Sequence, residues 1–372
     1  MELLTPYLAQ MVAKKGSDLF ITVGVPVSIK VHGRLEQLDD HKLDAAAAQR
    51  IVEDTMNASQ LAEFNDNSEC NFAIAVHDVG RFRVNAFCQR EQVGMVIRRI
   101  ETTIPDADDL LLPPILKDII LSKRGLFLFV GGTGTGKSTS MAALLGYRNI
   151  KTSGHILTIE DPIEFVHEHR GCIVTQREVG IDTPSFDSAL KNSLRQAPDV
   201  IMLGEIRTSE TMEYALSFSE TGHLCIATLH ANNANQALDR MLHLVPKEMQ
   251  DQLLFDLALN LRAIVAQQLV PTKDGKGRRA AIEILINTPH VSDLIRRGEV
   301  HRLKESMAKS REQGMQTFDQ ALFDLYKKGD ITYDDALHAA DSPNDLRLMI
   351  KLDDGDSSSK GGLDGVSIDM DD

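Results

Sequence analysis

The chain has 372 residues and a formal net charge of −14. This length predicts about two domains, and the acidic balance argues against a general nucleic-acid binder, which carries a basic footprint. A hydrophobic content of 42% predicts a globular protein with a sizeable core, and no apolar run approaches the roughly 20 residues of a membrane helix.

The four cysteines lie far apart in the sequence and include no CxxC pair. Such spacing favours neither a zinc site nor a small disulfide scaffold. The first twenty residues lack the basic-then-apolar order of a signal peptide, and their apolar residues recur at helical spacing. We therefore expect a reduced, cytoplasmic protein without membrane insertion.

Residues 1–100 predict a small α+β domain. "DLFITVG" and "VSIKVHG" indicate short strands, and a helix is expected from about Leu43 to Asn57. The segment that begins at Asn71 indicates three antiparallel strands, with turns at Gly80 and at "QREQVG". Residues 101–114 contain three prolines and an acidic cluster, so we place a linker and the domain boundary there.

Residues 115–352 show short apolar runs separated mostly by helical segments. The predicted core strands are "GLFLFVGG", "HILTIED", "DVIMLGE" and "HLCIATLH", and helices are expected from Ser292 onward. This alternation predicts an α/β fold with a parallel sheet that is covered by helices on both faces. Residues 353–372 are rich in Gly, Ser and Asp, which predicts a disordered acidic tail or, alternatively, an acidic interaction arm.

The stretch "GGTGTGKST" fits the pattern G-x-x-x-x-G-K-[ST] and lies between a predicted strand and a predicted helix. Glycines let backbone N–H groups turn toward phosphate oxygens, and the helix N-terminus adds positive partial charge. The lysine would reach the β- and γ-phosphates of ATP, and the serine hydroxyl would bind Mg²⁺. The predicted nucleotide-binding residues are Gly131, Thr133, Gly134, Thr135, Gly136, Lys137, Ser138 and Thr139.

Two further apolar strands end in acids. Glu205 follows "DVIML" at the carboxyl end of a strand, where ligands of open α/β sheets bind. It could hold Mg²⁺ through water or polarise the attacking water. Glu160, Asp161 and Glu164 follow "ILTI", and they indicate either a site for a cation and an activated water or a solvated acidic loop.

These motifs, in this order, resemble the type II/IV secretion ATPases, and within them the type IV pilus retraction ATPases PilT and PilU. The segment "HVSDLIRRGE" departs from the "AIRNLIRE" pattern of the PilT type and favours the PilU type. The resemblance implies a PAS-like N-terminal domain, a RecA-like ATPase domain and a homohexameric ring. It also implies ATP hydrolysis coupled to pilin disassembly at an inner-membrane platform protein, beside a PilT-type paralogue, with the chain peripheral to that membrane.

The resemblance also assigns roles to residues. It implies that Glu164 is the catalytic glutamate, that Glu205 is the Walker B acid, and that His230 belongs to the family's histidine box. We assign the general-base role to Glu164, although either glutamate could orient the water.

Three arginines of the N-terminal domain are candidates for stabilising the charge of the transition state. A period of two places Arg81 and Arg83 on one face of their strand, opposite Phe82. Arg98 lies on the next predicted strand, and the positions of Arg83 and Arg98 match the family's nucleotide contacts. A closing domain or a neighbouring subunit could deliver such cations, which act as arginine fingers. The alternative is that they are surface arginines paired with local acids.

Two histidines flank the strand "LCIATL". His223 and His230 are seven residues apart, so on one continuous strand they face opposite sides of the sheet and do not share a metal. His230 lies at the carboxyl end, where the γ-phosphate is expected, and is a candidate sensor of hydrolysis. His223 lies at the opposite end, where a structural or subunit-interface role is expected.

Other functions remain open at this point. The chain could be an ATP-binding regulatory subunit of a retraction motor with little turnover of its own, or a related type II secretion or pilus extension ATPase. A RecA-like nucleic-acid motor is disfavoured because the chain is acidic.

Overall fold

The computed structural model describes residues 1–31, 33–100 and 103–359. The chain divides into two compact units. The first contains Met1–Ile104, Ile159–Glu168 and Gln176–Ala189, and the second contains Pro105–Thr158, His169–Thr175 and the described chain from Leu190 onward.

The N-terminal part of the first unit is a six-stranded antiparallel sheet with helices. Its elements are α1 (Thr5–Ala13), β1 (Asp18–Thr22), β2 (Ser28–Val31), β3 (Arg34–Gln37), α2 (Ala45–Thr55), α3 (Ala58–Asn67), β4 (Glu69–Val76), β5 (Gly80–Gln89) and β6 (Gln92–Ile100). The strand order is β3-β2-β1-β6-β5-β4. The predicted α+β character and the three antiparallel strands β4, β5 and β6 are confirmed.

Local sequence signals account for the helices and the strand faces of this unit. The Asp44 side chain caps α2 by accepting from the Ala47 N–H, and Asn57 and Gln60 form a capping box at the start of α3. On β5, Phe82 and Val84 are fully buried, as the alternation of the sequence predicts. The buried face of the sheet and its helices therefore form one apolar core.

The rest of the chain alternates strands with helices. The elements are α4 (Ile115–Ile120), β7 (Gly125–Val130), α5 (Lys137–Lys151), β8 (Gly154–Glu160), β9 (Cys172–Glu178), α6 (Phe186–Ser193), β10 (Val200–Leu203), α7 (Ser209–Glu220), β11 (Leu224–Leu229), α8 (Ala234–His243), α9 (Lys247–Asn260), β12 (Leu261–Pro271), β13 (Arg278–Ile286), α10 (Pro289–Arg296), α11 (Leu303–Lys309), α12 (Phe318–Lys328), α13 (Tyr333–Ala339) and α14 (Pro343–Ser359). Within the described ranges, no helix has the length and apolar character that crossing a bilayer requires.

A seven-stranded sheet with the order β13-β12-β7-β11-β10-β8-β9 forms the centre of this region. Strands β12, β7, β11 and β10 are mutually parallel, and β13 runs antiparallel to β12. Every residue of β7, β10 and β11 is buried, as expected for central parallel strands. The α/β fold and the four core strands β7, β8, β10 and β11 are confirmed. Strands β9, β12 and β13 were not predicted from the sequence.

Two sequence-predicted segments lie partly outside the described residues. In the 101–114 segment, residues 101 and 102 lie outside them, and a turn covers residues 107–111. Helix α14 continues to Ser359 and thus includes the first seven residues of the segment 353–372, for which an acidic tail was predicted. Residues 360–372 lie outside the described residues.

Candidate nucleotide site

The glycine-rich loop connects β7 to α5 and depends on glycine at specific positions. Gly134 and Gly136 have φ of +78° and +85°, a left-handed conformation that strains other residues. A Cβ on Gly131 would lie 2.6 Å from the Gln267 carbonyl oxygen, and one on Gly136 would lie 2.8 Å from Gln267 Nε2. The loop can therefore keep this path only with glycine at these positions.

Lys137 and Ser138 are the first two residues of the fifteen-residue helix α5. Lys137 Nζ donates to the carbonyl oxygens of Gly131 and Gly132, at 2.8 and 2.7 Å, so the ammonium group lies against the loop itself. Thr135 Oγ1 donates to the same Gly132 oxygen at 3.0 Å. A glycine loop, a lysine ammonium group and a helix N-terminus together fit a polyphosphate chain.

Gln267 on β12 supports this loop and was not predicted from the sequence. Its side chain is almost fully buried. Nε2 donates to the Thr135 carbonyl oxygen at 2.9 Å, and Oε1 accepts from Ser140 Oγ at 2.8 Å. One side chain thus links the loop and the first turn of α5 to the strand beside β7.

Three predicted site segments meet at one edge of the sheet. The glycine loop follows β7, His230 follows β11 and Glu205 lies two residues beyond β10. These strands are neighbours and parallel, with Val130 beside Leu229 and Leu203 beside Ala227. Since the carboxyl ends of parallel strands share an edge, this is the position where open α/β sheets bind ligands.

Glu205 contacts two cationic or polar side chains. His230 Nε2 lies 3.2 Å from Glu205 Oε1, and Arg207 Nε donates to Oε2 at 2.6 Å. The carboxylate is 14% exposed, whereas the other two side chains are 41% and 60% exposed. Because His230 and Arg207 are more exposed than the Glu205 carboxylate between them, each has room to exchange this carboxylate for another partner. Arg207 was not assigned a role from the sequence.

The segment around Glu205 is tied to β11 by hydrogen bonds. Thr228 Oγ1 donates to the Gly204 carbonyl oxygen at 2.5 Å, and the Ile206 N–H donates to the Thr228 carbonyl oxygen at 2.9 Å. The carboxylate is thus attached to the same strand that carries His230.

His223 makes the contacts of a structural residue at the opposite end of β11. Its Nδ1 lies 3.1 Å from Thr221 Oγ1 and 3.2 Å from the Phe218 carbonyl oxygen. Its own carbonyl oxygen accepts from the Gly125 N–H at the start of β7. His223 and His230 therefore lie at opposite ends of β11, and only His230 lies at the end that is close to the glycine loop.

Glu164 lies in the first unit, in the loop between β8 and β9, and is exposed. Gln176 binds the residues that follow Glu164. Its Nε2 donates to the Phe165 carbonyl oxygen at 2.8 Å, and its Oε1 accepts from the His167 N–H at 2.7 Å. Gln176 Nε2 also donates to Glu160 Oε1 at 3.1 Å. The half-buried Gln176 side chain therefore fixes this loop at both ends.

Glu178 holds the residue that precedes Glu164. Its Oε2 accepts from the Ile163 N–H at 3.3 Å. Burial raises the pKa of the Glu178 carboxyl, and the positive charges of Arg83 and Arg81 act in the opposite direction. Two of the predicted arginines therefore interact electrostatically with a buried acid of their own unit.

Arg98 also has an acidic partner in the first unit. Arg98 Nε donates to Asp18 Oδ1 at 2.8 Å, and the Asp18 side chain is only 8% exposed. The Cα register of the sheet places Arg98 beside Arg83 on one strand and beside Asp18 on another. The arginines and Glu164 thus belong to the first unit, whereas Lys137, Glu205 and His230 belong to the second.

Comparison with known proteins places the chain in a family. The family model of the type II/IV secretion system proteins matches residues 1–336. The type IV pilus ATPase PilU of Pseudomonas aeruginosa is 64% identical over 345 residues, which cover 93% of this chain and 90% of PilU. The pilus retraction ATPase PilT of the same organism is 39% identical, with coverage of 92% and 99%.

The solved structures agree with the sequence comparison. A crystal structure of the pilus retraction motor PilT with bound ADP matches with a TM-score of 0.86 and 38% identity, covering 93% of this chain and 98% of PilT. The glycine loop, Glu205 and His230 therefore lie on the fold of a nucleotide-binding motor. The chain belongs to the type II/IV secretion ATPases and, within that family, to the PilT/PilU group of type IV pilus ATPases.

Proposed function

We propose that this chain hydrolyses ATP in a homohexameric ring and that the hydrolysis drives retraction of type IV pili by disassembly of pilin. The observation that carries the proposal is the meeting of the glycine loop, Glu205 and His230 at the carboxyl ends of three adjacent parallel strands. The 64% identity to PilU supports the assignment to the pilus machinery.

The glycine loop and α5 would bind the triphosphate. Backbone N–H groups of the loop would donate to phosphate oxygens, and Lys137 would exchange its contacts with the Gly131 and Gly132 carbonyl oxygens for contacts with the β- and γ-phosphates. Ser138 and Glu205 are the residues that would hold Mg²⁺, directly or through water. When bound, Mg²⁺ neutralises charge on the phosphate oxygens.

Two carboxylates are available to orient the attacking water. Glu164 is exposed on a loop that Gln176 and Glu178 fix, and it is our proposed general base. Glu205 is enclosed and in contact with His230, which suits an acid whose surroundings report on the γ-phosphate. We propose that His230 senses hydrolysis by exchanging Glu205 for a phosphate oxygen.

Arg81, Arg83 and Arg98 would supply positive charge to the transition state, either in one subunit or across a subunit boundary. Glu178 and Asp18 act on these side chains in the present structure. Their release from these acids would therefore accompany the approach to nucleotide. Such arginine fingers contribute about 10³–10⁵ in rate where they have been characterised.

In this account residues 1–100 form the PAS-like domain, 101–114 the linker, 115–352 the RecA-like ATPase domain and 353–372 an acidic tail. The ring would work at the cytoplasmic face of the inner membrane, on the platform protein of the pilus, and beside a PilT-type paralogue. Neither nucleic acid nor membrane insertion enters this mechanism.

A deletion strain tests the proposal. Strains that lack this chain, the paralogue or both are complemented with wild type or with Glu205→Ala, and surface pili and retraction events are counted. Wild type is expected to restore retraction, whereas Glu205→Ala is expected to leave pili extended. If Glu205→Ala restores retraction fully, the chain acts as an accessory subunit without turnover of its own.

A further inference from the structure

Glu283 on β13 is a buried carboxylate that contacts the start of α8. Its side chain is 1% exposed, and Oε1 accepts from the Ala234 N–H at 2.8 Å. Ala234 is the first residue of α8. Among the described residues, Oε2 has no partner with good hydrogen-bond geometry, although the Phe318 N–H is near enough to favour the ionised carboxylate. A buried carboxylate oxygen without a well-formed hydrogen bond lowers the stability of the folded state, so packing alone does not account for Glu283.

The surroundings of Glu283 come from four other segments. Ala234 on α8 and the Phe318 N–H on α12 favour its ionised form, as does Lys304 on α11, whereas Asp341 after α13 opposes it. Burial is the largest influence and raises the pKa of Glu283 to about 7. The contact with α8 therefore changes between a neutral and a charge-assisted hydrogen bond in the neutral pH range.

A second chain of contacts fixes the residue before Ala234. Asn233 caps α8, since its Oδ1 accepts from the Gln236 N–H at 2.9 Å, and its Nδ2 lies 3.5 Å from Asp341 Oδ2. The same Asp341 oxygen accepts from Lys304 Nζ at 2.7 Å. The Asp341 N–H in turn donates to the buried Asp319 at 2.9 Å. The start of α8 is thus attached both to β13 and to the C-terminal helices.

His230 lies close to this anchored point in the chain. Residues 230–233 join the end of β11 to Ala234, so β11 fixes one end of the segment and Glu283 fixes the other. Helix α8 and His230 also line one cavity of about 480 Å³. A shift of α8 along its axis would therefore move His230 relative to Glu205, across a contact of only 3.2 Å.

We propose that Glu283 is a positioning residue for His230, and that it acts by anchoring the N-terminus of α8. This inference rests on the proposed roles of Glu205 and His230 in hydrolysis. Within the described residues, no group of three or more His, Cys, Asp or Glu side chains is arranged to hold a metal. The ionised carboxylate holds the N–H groups of α8 more strongly than the neutral acid.

Four variants of the full chain test the inference: Glu283→Ala, Glu283→Gln, His230→Ala and the double variant of Glu283→Ala with His230→Ala. The matched control is Glu305→Gln, because Glu305 is an exposed glutamate on α11 whose partner is Lys309. The measurements are the kcat and KM for ATP hydrolysis from pH 5.5 to 8.5, the affinity for ADP and the thermal unfolding of each variant.

The expected results separate positioning from a structural role. Glu283→Ala lowers kcat by about 10- to 100-fold while ADP affinity stays at the wild-type value, since misplacement of a catalytic group by about 1 Å has such an effect. The double variant is no slower than His230→Ala. Glu283→Gln, whose neutral amide oxygen can still accept from Ala234, is expected to keep the lower kcat of the protonated wild type and to lack the rise in kcat that is expected of wild type as pH increases through about 7.

Several outcomes would overturn the inference. Wild-type kcat in Glu283→Ala would do so, and so would a double variant whose loss is the product of the two single losses. Should Glu283→Ala not fold, the pH profile decides, and a Glu283→Gln profile identical to wild type contradicts the inference. Wild-type kcat in His230→Ala instead refutes the proposed role of His230 and identifies the failure as that of the proposed function.

Discussion

His230 Nε2 and Glu205 Oε1 lie 3.2 Å apart, although the two residues are separated by a helix and a strand in the sequence. Their strands β10 and β11 are parallel neighbours, so the residues that follow them meet at one edge of the sheet. Arg207 binds the other carboxylate oxygen. These two contacts fix the orientation of the Glu205 carboxylate, as is required of a carboxylate that positions a water or a cation.

Glu205→Gln is expected to lower kcat for ATP hydrolysis by about 10²–10³, because it removes the charge that orients water or cation at the reaction centre. ADP affinity is expected to stay near that of wild type, since the glycine loop is unchanged. Steady-state phosphate release and calorimetry measure the two quantities. Glu220→Gln is the control, because Glu220 is exposed at the end of α7 and contacts Asn260. Equal turnover in both variants would contradict the role of Glu205.

Gly136→Ala and Gly329→Ala form a matched pair. Both glycines have left-handed backbones, with φ of +85° and +78°. A Cβ at Gly136 lies 2.8 Å from Gln267 Nε2, whereas none of the described atoms lies within 4 Å of one at Gly329. Both variants are expected to lose about 1–2 kcal/mol of unfolding free energy from the strain.

Only Gly136→Ala is expected to lose ADP affinity as well, because its methyl group pushes the glycine loop away from β12. Denaturant titration and calorimetry check the two effects. Equal ADP affinity in the two variants would show that the loop tolerates the displacement.

Gln267→Leu tests the support of the glycine loop from β12. It removes two buried hydrogen bonds, to Thr135 and Ser140, and we expect a loss of about 1–3 kcal/mol in unfolding free energy together with weaker ADP binding. Ser140→Ala removes one of these bonds and leaves the bond to Thr135 in place. It should therefore bind ADP nearly as well as wild type. If Ser140→Ala weakens binding as much as Gln267→Leu does, the contact with Thr135 is not the one that matters.

The buried His167 side chain is expected to lower the free energy of unfolding in acid. Burial lowers its pKa from 6.5 to about 4, so the folded chain holds the ring neutral while the unfolded chain takes up a proton below pH 6.5. This contribution to stability is present above pH 6.5 and is lost as the pH falls toward 4. At pH 5 the loss should be about 2 kcal/mol.

Urea unfolding at pH 7 and pH 5 measures this effect. In His167→Gln the difference between the two pH values should shrink by about that amount, whereas the control His77→Gln, at a fully exposed histidine, should keep it. An unchanged difference in His167→Gln would show that other groups cause the acid sensitivity.

The parts of the fold that were predictable are those set by local sequence. The glycine loop, the four core strands and the faces of β5 follow from short apolar runs and from turn residues. Strand β12 was missed because it begins at Leu261 directly after α9 ends at Asn260, without a Gly or Pro to mark the change. Apolar residues before and after that point do not distinguish helix from strand.

The supporting contacts of the site were not predictable from local patterns. Gln267 is 127 residues from Ser140, and Glu283 is 49 residues from Ala234. Their roles appear only once β12 and β13 are placed beside β7. Likewise, the strand pattern predicted the face that Arg83 occupies, but its buried acidic neighbour Glu178 depends on tertiary structure.

ATP-dependent phosphate release by the purified chain, measured for wild type and Lys137→Ala with and without the PilT-type paralogue, tests the central claim most directly. We predict steady turnover by wild type and its loss in Lys137→Ala, whose ammonium group would no longer reach the phosphates. An absence of wild-type turnover in every assembly state would contradict the account and leave a nucleotide-binding subunit without hydrolysis of its own.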